Sequence, residues 1–159
     1  MIRLKQFLLI LVFAIFAVSC RPEGRVYVDH QKLSPDVEWL QEDSREFEVP
    51  ISEAQLDQSY ALKIAFRYAT GYRFRELKIK LTEISPDGEK KVKPYTLTIR
   101  DEKGDYIGDP GYDIWDSEHL IEADKSYAAA GTYRYVIAHD MPADPLNFAM
   151  EIGLILDEK

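Results

Sequence analysis

The chain has 159 residues, 20 of them Lys or Arg and 28 Asp or Glu, for a net charge of −8 with histidine neutral. That balance disfavours nucleic acid and anionic lipid surfaces as partners, since both reward clustered Lys and Arg. A single cysteine excludes a disulfide framework, so any fold must be held by its core.

The first twenty residues carry the clearest signal. Arg3 and Lys5 form a positive start, Phe7 to Val18 an apolar run, and Ala17-Val18-Ser19 lead into Cys20. The run is too short to span a bilayer, which takes about 17–25 residues. It fits a secretory signal with small residues before the cut, and a cysteine directly after the cut is a lipidation site. The expected organisation is therefore a lipoprotein signal over 1–19, lipidated Cys20 with a short tether over 20–25, and a domain over 26–159. Losing nineteen residues leaves 140, enough for one domain with a sizeable core. Losing Arg3 and Lys5 takes the charge from −8 to −10. A diacylglyceryl and N-acylated cysteine anchors permanently, because one acyl chain alone binds only reversibly.

Beyond the tether, Val26-Tyr27-Val28 predicts a short strand. Trp39 in the mixed segment 32–45 is expected to plug one end of the core, and Phe47 and Val49, alternating with Glu46 and Glu48 before Pro50, predict an edge strand. Tyr60, Leu62, Ile64, Phe66 and Tyr68 alternate strictly with smaller or charged residues, the mark of a half-buried antiparallel strand. Leu77, Ile79 and Leu81 repeat the pattern. Ser85-Pro86-Asp87-Gly88 is turn chemistry, and Tyr95, Leu97 and Ile99 follow, so these two runs predict a hairpin.

Residues 101–118, with three glycines and a proline among acids and aromatics, read as a long irregular loop, with at most a short strand at Tyr106-Ile107. A strand is expected from His119 to Ala123, a loop through Ala128-Gly131 and a strand over Tyr133, Tyr135 and Ile137. Pro142 and Pro145 keep 141–146 irregular. The last strand is read with Phe148, Met150, Ile152, Leu154 and Leu156 on one face. Six to eight strands without helical periodicity predict an all-β fold, a single antiparallel sandwich of immunoglobulin-like or jelly-roll-like type.

No G-x-S-x-G elbow or phosphate loop is present, and His30, His119 and His139 lack metal-ligand spacing. The expectation is a non-enzymatic protein with no catalytic residue, no cofactor and no metal. Seven acids in 101–118 offer hard oxygen ligands for Ca²⁺ but lack calcium-loop spacing. Tyr106, Tyr112, Trp115 and Tyr127 give this region an aromatic content suited to partner binding; the alternative is that Ile114-Trp115 tucks back and closes the end of the sandwich. Stacking of Tyr112, Trp115 and Tyr127 on sugar rings is a second possible use, as a carbohydrate-binding envelope lipoprotein.

Several short motifs recur in a familiar order: Tyr60-x-Leu62, Arg67-Tyr68, Pro86-Asp87-Gly88, Tyr95-x-Leu97-x-Ile99-Arg100-Asp101, Asp113-Ile114-Trp115, Gly131-Thr132-Tyr133-Arg134-Tyr135, Asp144-Pro145-Leu146 and Ile152-Gly153-Leu154. Together with the lipidation signal they resemble the gliding-motility lipoprotein GldH family of the Bacteroidota over nearly the whole chain. The chain departs from the pattern at Tyr106-Ile107-Gly108 and at Pro142. The resemblance implies an accessory role in gliding and type IX secretion machinery, with envelope proteins as partners. The residues after Cys20 include one acid, Glu23, which places the expected anchor in the periplasmic leaflet of the outer membrane.

Overall fold

The computed structural model describes residues 24–159; the signal and Cys20 lie outside the described residues. Eight strands of seven or more residues and three two-residue pieces follow in order: β1 Arg25–Lys32, β2 Glu38–Trp39, β3 Arg45–Ile51, β4 Tyr60–Ala69, β5 Glu76–Ile84, β6 Lys90–Thr98, β7 Asp109–Pro110, β8 Ile114–Lys125, β9 Gly131–His139, β10 Leu146–Asn147 and β11 Ala149–Glu158. One sheet runs β1-β11-β4-β8-β7, the other β3-β9-β5-β6, and β10-β2 forms a small pair at one end. All pairings are antiparallel. The protein is an all-β sandwich.

Period-2 patterning puts the bulky residues between the sheets. Tyr60, Leu62, Ile64, Phe66 and Tyr68 of β4 are buried, as are Phe47 and Val49 of β3, Leu77, Ile79 and Leu81 of β5, and Tyr133, Tyr135 and Ile137 of β9. β3 is the edge strand its charged alternation predicts. β5 and β6 pair as the expected hairpin, with Leu77 opposite Leu97 and Ile79 opposite Tyr95. Lys90, Lys91, Lys93 and Pro94 on edge strand β6 discourage a further strand from pairing there. Trp39 is fully buried and plugs one end: its indole N–H donates to Asp43 O at 2.6 Å, and its ring meets His139 edge-on at 5.2 Å.

Two expectations need correction. Ile114–Glu118 is not loop but the start of β8, the longest strand. Its alternation is hidden because Ser117 and His119 face inward, while Asp116 and Glu118 face outward onto cations of other strands. In β11, Phe148 and Met150 do not share the face of Ile152. Phe148 precedes the strand with φ +67, and a register shift between Ala149 and Glu151 turns buried Ala149 inward instead.

Candidate functional site

The strand directions give the sandwich two distinct ends. Gly24 O accepts the Glu158 amide at 2.7 Å, and Arg25 lies opposite Asp157, so the described chain starts at the end carrying residues 52–59, 85–89 and 126–130. Strands of about ten residues, roughly 30 Å long, separate that end from a distal one formed by 33–44, 70–75, 99–113 and 140–148.

Three of the four aromatics singled out in the sequence gather at or beside the distal end. Tyr112 sits in the turn between β7 and β8, closed by the Gly111 amide on Ile114 O at 2.6 Å, and is fully exposed. Trp115 and Tyr106 pack against the core and each other, with ring centroids 5.2 Å apart. Trp115 Nε1 donates to Thr70 Oγ1 at 3.2 Å. Tyr106 OH accepts from Gly71 N at 2.8 Å and from Arg100 Nη2 at 2.6 Å, while the Arg100 guanidinium lies 3.9 Å from the Tyr106 ring centroid. From Tyr106 a row of rings continues inward through Tyr68 (5.6 Å) and Tyr72 (5.7 Å) to Phe74 (6.0 Å). Burial pushes the Tyr68 hydroxyl up to about 12, so it stays a donor, to Ile107 O at 2.6 Å.

Tyr127 is at the opposite end and buried, against the expectation that it faces a partner. Its hydroxyl meets that of Tyr135 at 3.0 Å, its ring packs on Tyr133 at 4.6 Å, and burial raises its pKa. The stacking platform of Tyr112, Trp115 and Tyr127 is therefore not assembled.

On the outer face of the first sheet, a cleft of about 530 Å³ has Ala65 on its floor and Arg67, Asp109, Asp116, Glu118 and Glu151 around it. Its charges are largely spent on each other. Arg67 grips Asp116 through Nε and Nη2 at 2.7 and 3.0 Å, and Glu118 is shared by Arg25 and Lys63. Beside it, Ser117 donates its one hydroxyl proton to Phe66 O at 3.1 Å, so at 2.9 Å it accepts from His119 Nε2. That is the reverse of a nucleophile giving its proton to a base. Among the described residues no three His, Cys, Asp or Glu groups gather to hold a metal ion. In the acidic loop, Asp101 Oδ1 accepts the amides of Lys103 and Asp105 at 2.8 and 2.9 Å, closing its own turn.

Arg73-Phe74-Arg75 and the Phe148 ring, none of them a binding candidate in the sequence, shape the rest of the distal end. A cation-aromatic-cation triplet just before a strand was the available signal.

Among solved structures, the chain is similar at 11% identity and TM-score 0.39 to part of a GH115 4-O-methyl-α-glucuronidase with specificity for decorated arabinogalactans, covering 90% of this chain and 19% of that one. It is similar at 12% identity and TM-score 0.32 to part of dimeric latent PorU from Porphyromonas gingivalis, covering 88% and 14%. The chain thus spans less than a fifth of either protein. A search of curated proteins finds no match. The model of the GldH lipoprotein family matches residues 25–156, which is nearly all of the sandwich from β1 to β11, and the chain belongs to that family.

Proposed function

We propose that this protein is a non-enzymatic interaction component of the gliding motility and type IX secretion machinery. It is held by acylated Cys20 in the periplasmic leaflet of the outer membrane, with envelope proteins as its partners. The family match over 25–156 carries this reading. The layout of the domain supports it: the five steps along the chain from Cys20 to Arg25 span at most about 18 Å, which keeps an anchor on Cys20 near one end of the sandwich, while Tyr112 projects from the other. Tyr112 is the recognition residue of the distal loop 101–113, and Tyr106 and Trp115 belong to the packed wall at that end.

The test is a membrane-extract pull-down with the lipidated protein as bait, scored for gliding and secretion components. Tyr112→Ala is expected to reduce capture several-fold with an unchanged melting temperature, because its side chain is free of the core. Cys20→Ala is expected to leave the membrane fraction. Undiminished capture by Tyr112→Ala, or membrane retention of Cys20→Ala, overturns the corresponding part.

A further inference from the structure

The distal end holds a second surface, independent of the Tyr112 turn. Phe74, half-buried at the end of the aromatic row, is a ridge between two grooves. One, of about 270 Å³, is lined by Arg73, Phe74, Ala143, Asn147 and Phe148. The other, of about 200 Å³, is lined by Phe74, Arg75, Glu76, Lys78, Met141 and Pro142. Their walls are apolar and their rims cationic.

Two features set this place apart. The first is charge. Arg73, Arg75 and Lys78 are exposed and enter no ion pair among the described residues, whereas Arg25, Lys63 and Arg67 on the other sheet are each paired. Glu76 is the one acid in either lining, and the nearby Lys80 and Asp140 neutralise each other at 2.7 Å. A net positive surface therefore persists on a strongly acidic protein. The second is Phe148. Its backbone is left-handed, φ +67, a conformation that a bulky residue rarely adopts. It is held by its amide on Val37 O at 2.8 Å and by the Ala69 amide on its own carbonyl at 2.9 Å. The result is a large ring kept 37% exposed at the groove, over Gly71, where a Cβ would stand 3.0 Å from the ring.

We infer that the paired grooves flanking Phe74 bind an extended acidic segment of a partner protein, with aromatic or aliphatic side chains in the grooves and carboxylates on Arg73, Arg75 and Lys78. Charge complementarity selects the occupant: guanidinium groups recognise carboxylates, and apolar grooves of this size accept single large side chains. An anionic lipid of the protein's own membrane is a poorer fit, because the grooves lie at the end opposite Gly24, roughly 30 Å away along the strands. A nucleic acid needs more cations than three and is repelled by the remaining surface.

The test uses the full lipidated chain anchored in phosphatidylcholine vesicles and three fluorescent twelve-residue peptides. One combines Asp and Glu with spaced Phe and Leu, one replaces its acids by Lys, and one replaces its Phe and Leu by Ser. The first is expected to bind at least about tenfold tighter than either other, and to weaken with added salt. Arg73→Ser/Arg75→Ser/Lys78→Ser should lose that preference, whereas Lys90→Ser/Lys103→Ser, which also removes exposed cations, should retain it. Both multiple variants are expected to keep the wild-type melting temperature. Equal binding of the three peptides, or equal loss in both variants, overturns the inference. So does bridging of the anchored protein to phosphatidylglycerol vesicles that is lost only in the triple variant, which would make a lipid head group the ligand.

Discussion

Gly108 locks the distal loop to the sheet. It has φ +129, and a Cβ there would overlap Asp116 O, lie 2.9 Å from Asp116 C and 3.2 Å from Ser117 Cβ, both on β8. Its neighbours fix the same contact, with the Ile107 amide on Ile99 O at 2.9 Å and Tyr68 OH on Ile107 O at 2.6 Å. Gly108→Ala therefore meets two penalties: about 1–3 kcal/mol for an alanine in a glycine-only conformation, and about 1–3 kcal/mol for displacing backbone. Gly104→Ala separates them, since Gly104 has φ +90 but nothing within 4 Å of its added Cβ. In urea or thermal unfolding, Gly108→Ala should lose about 4 kcal/mol and Gly104→Ala about 2 kcal/mol, at about 3 °C per kcal/mol. Equal losses would refute the close approach of the loop to β8.

Two further outcomes test the buried polar groups. Lys125 and Glu83 form an ion pair with side chains 9% and 15% exposed, so Lys125→Met should cost about 3 kcal/mol by stranding a carboxylate. Lys125→Met/Glu83→Leu should recover most of that, and a double variant as unstable as the single would sink the argument. His139 is neutral: Nε2 donates to Trp39 O at 3.0 Å and Nδ1 accepts the Met141 amide at 3.3 Å. Burial lowers its pKa, against Trp39 O, Asp144 and Asp140, which favour the charged form. The unfolded chain thus takes up a proton near pH 6.5 that the folded one does not, so its stabilisation is complete above that pH and lost as pH falls toward the folded value. His139→Gln should flatten this slope of stability against pH; an unchanged slope would refute the role.

The strands were legible where large apolar residues alternate with charged ones, because a half-buried sheet needs that pattern and little else imposes it. β4 and the β5–β6 hairpin are of this kind. What escaped was inward polarity and outward charge matched over long separations. Ser117 and His119 occupy inner positions of β8, and Asp116 is satisfied by Arg67, forty-nine residues away. Tyr127 looked like a loop aromatic because Ala128-Ala129-Ala130-Gly131 follows it. Its burial depends on Tyr60, Tyr133 and Tyr135, which converge only in the fold.

The same distinction decides what the candidate site is made of. Trp115 and Tyr106 drew notice by residue type, yet their polar atoms are committed to Thr70, Gly71 and Arg100, which makes them wall. Among the described residues Tyr112 has no such commitment, and neither do Arg73, Arg75 and Lys78. A side chain already paired within its own fold must give up that pairing to bind elsewhere, at a cost of about 1–3 kcal/mol for each buried group left unsatisfied. The proposed recognition at the distal end therefore rests on groups without a partner among the described residues: the exposed Tyr112 ring in the turn before β8, and the Arg73, Arg75 and Lys78 cations beside the Phe74 ridge. Both lie at the end of the sandwich opposite Gly24.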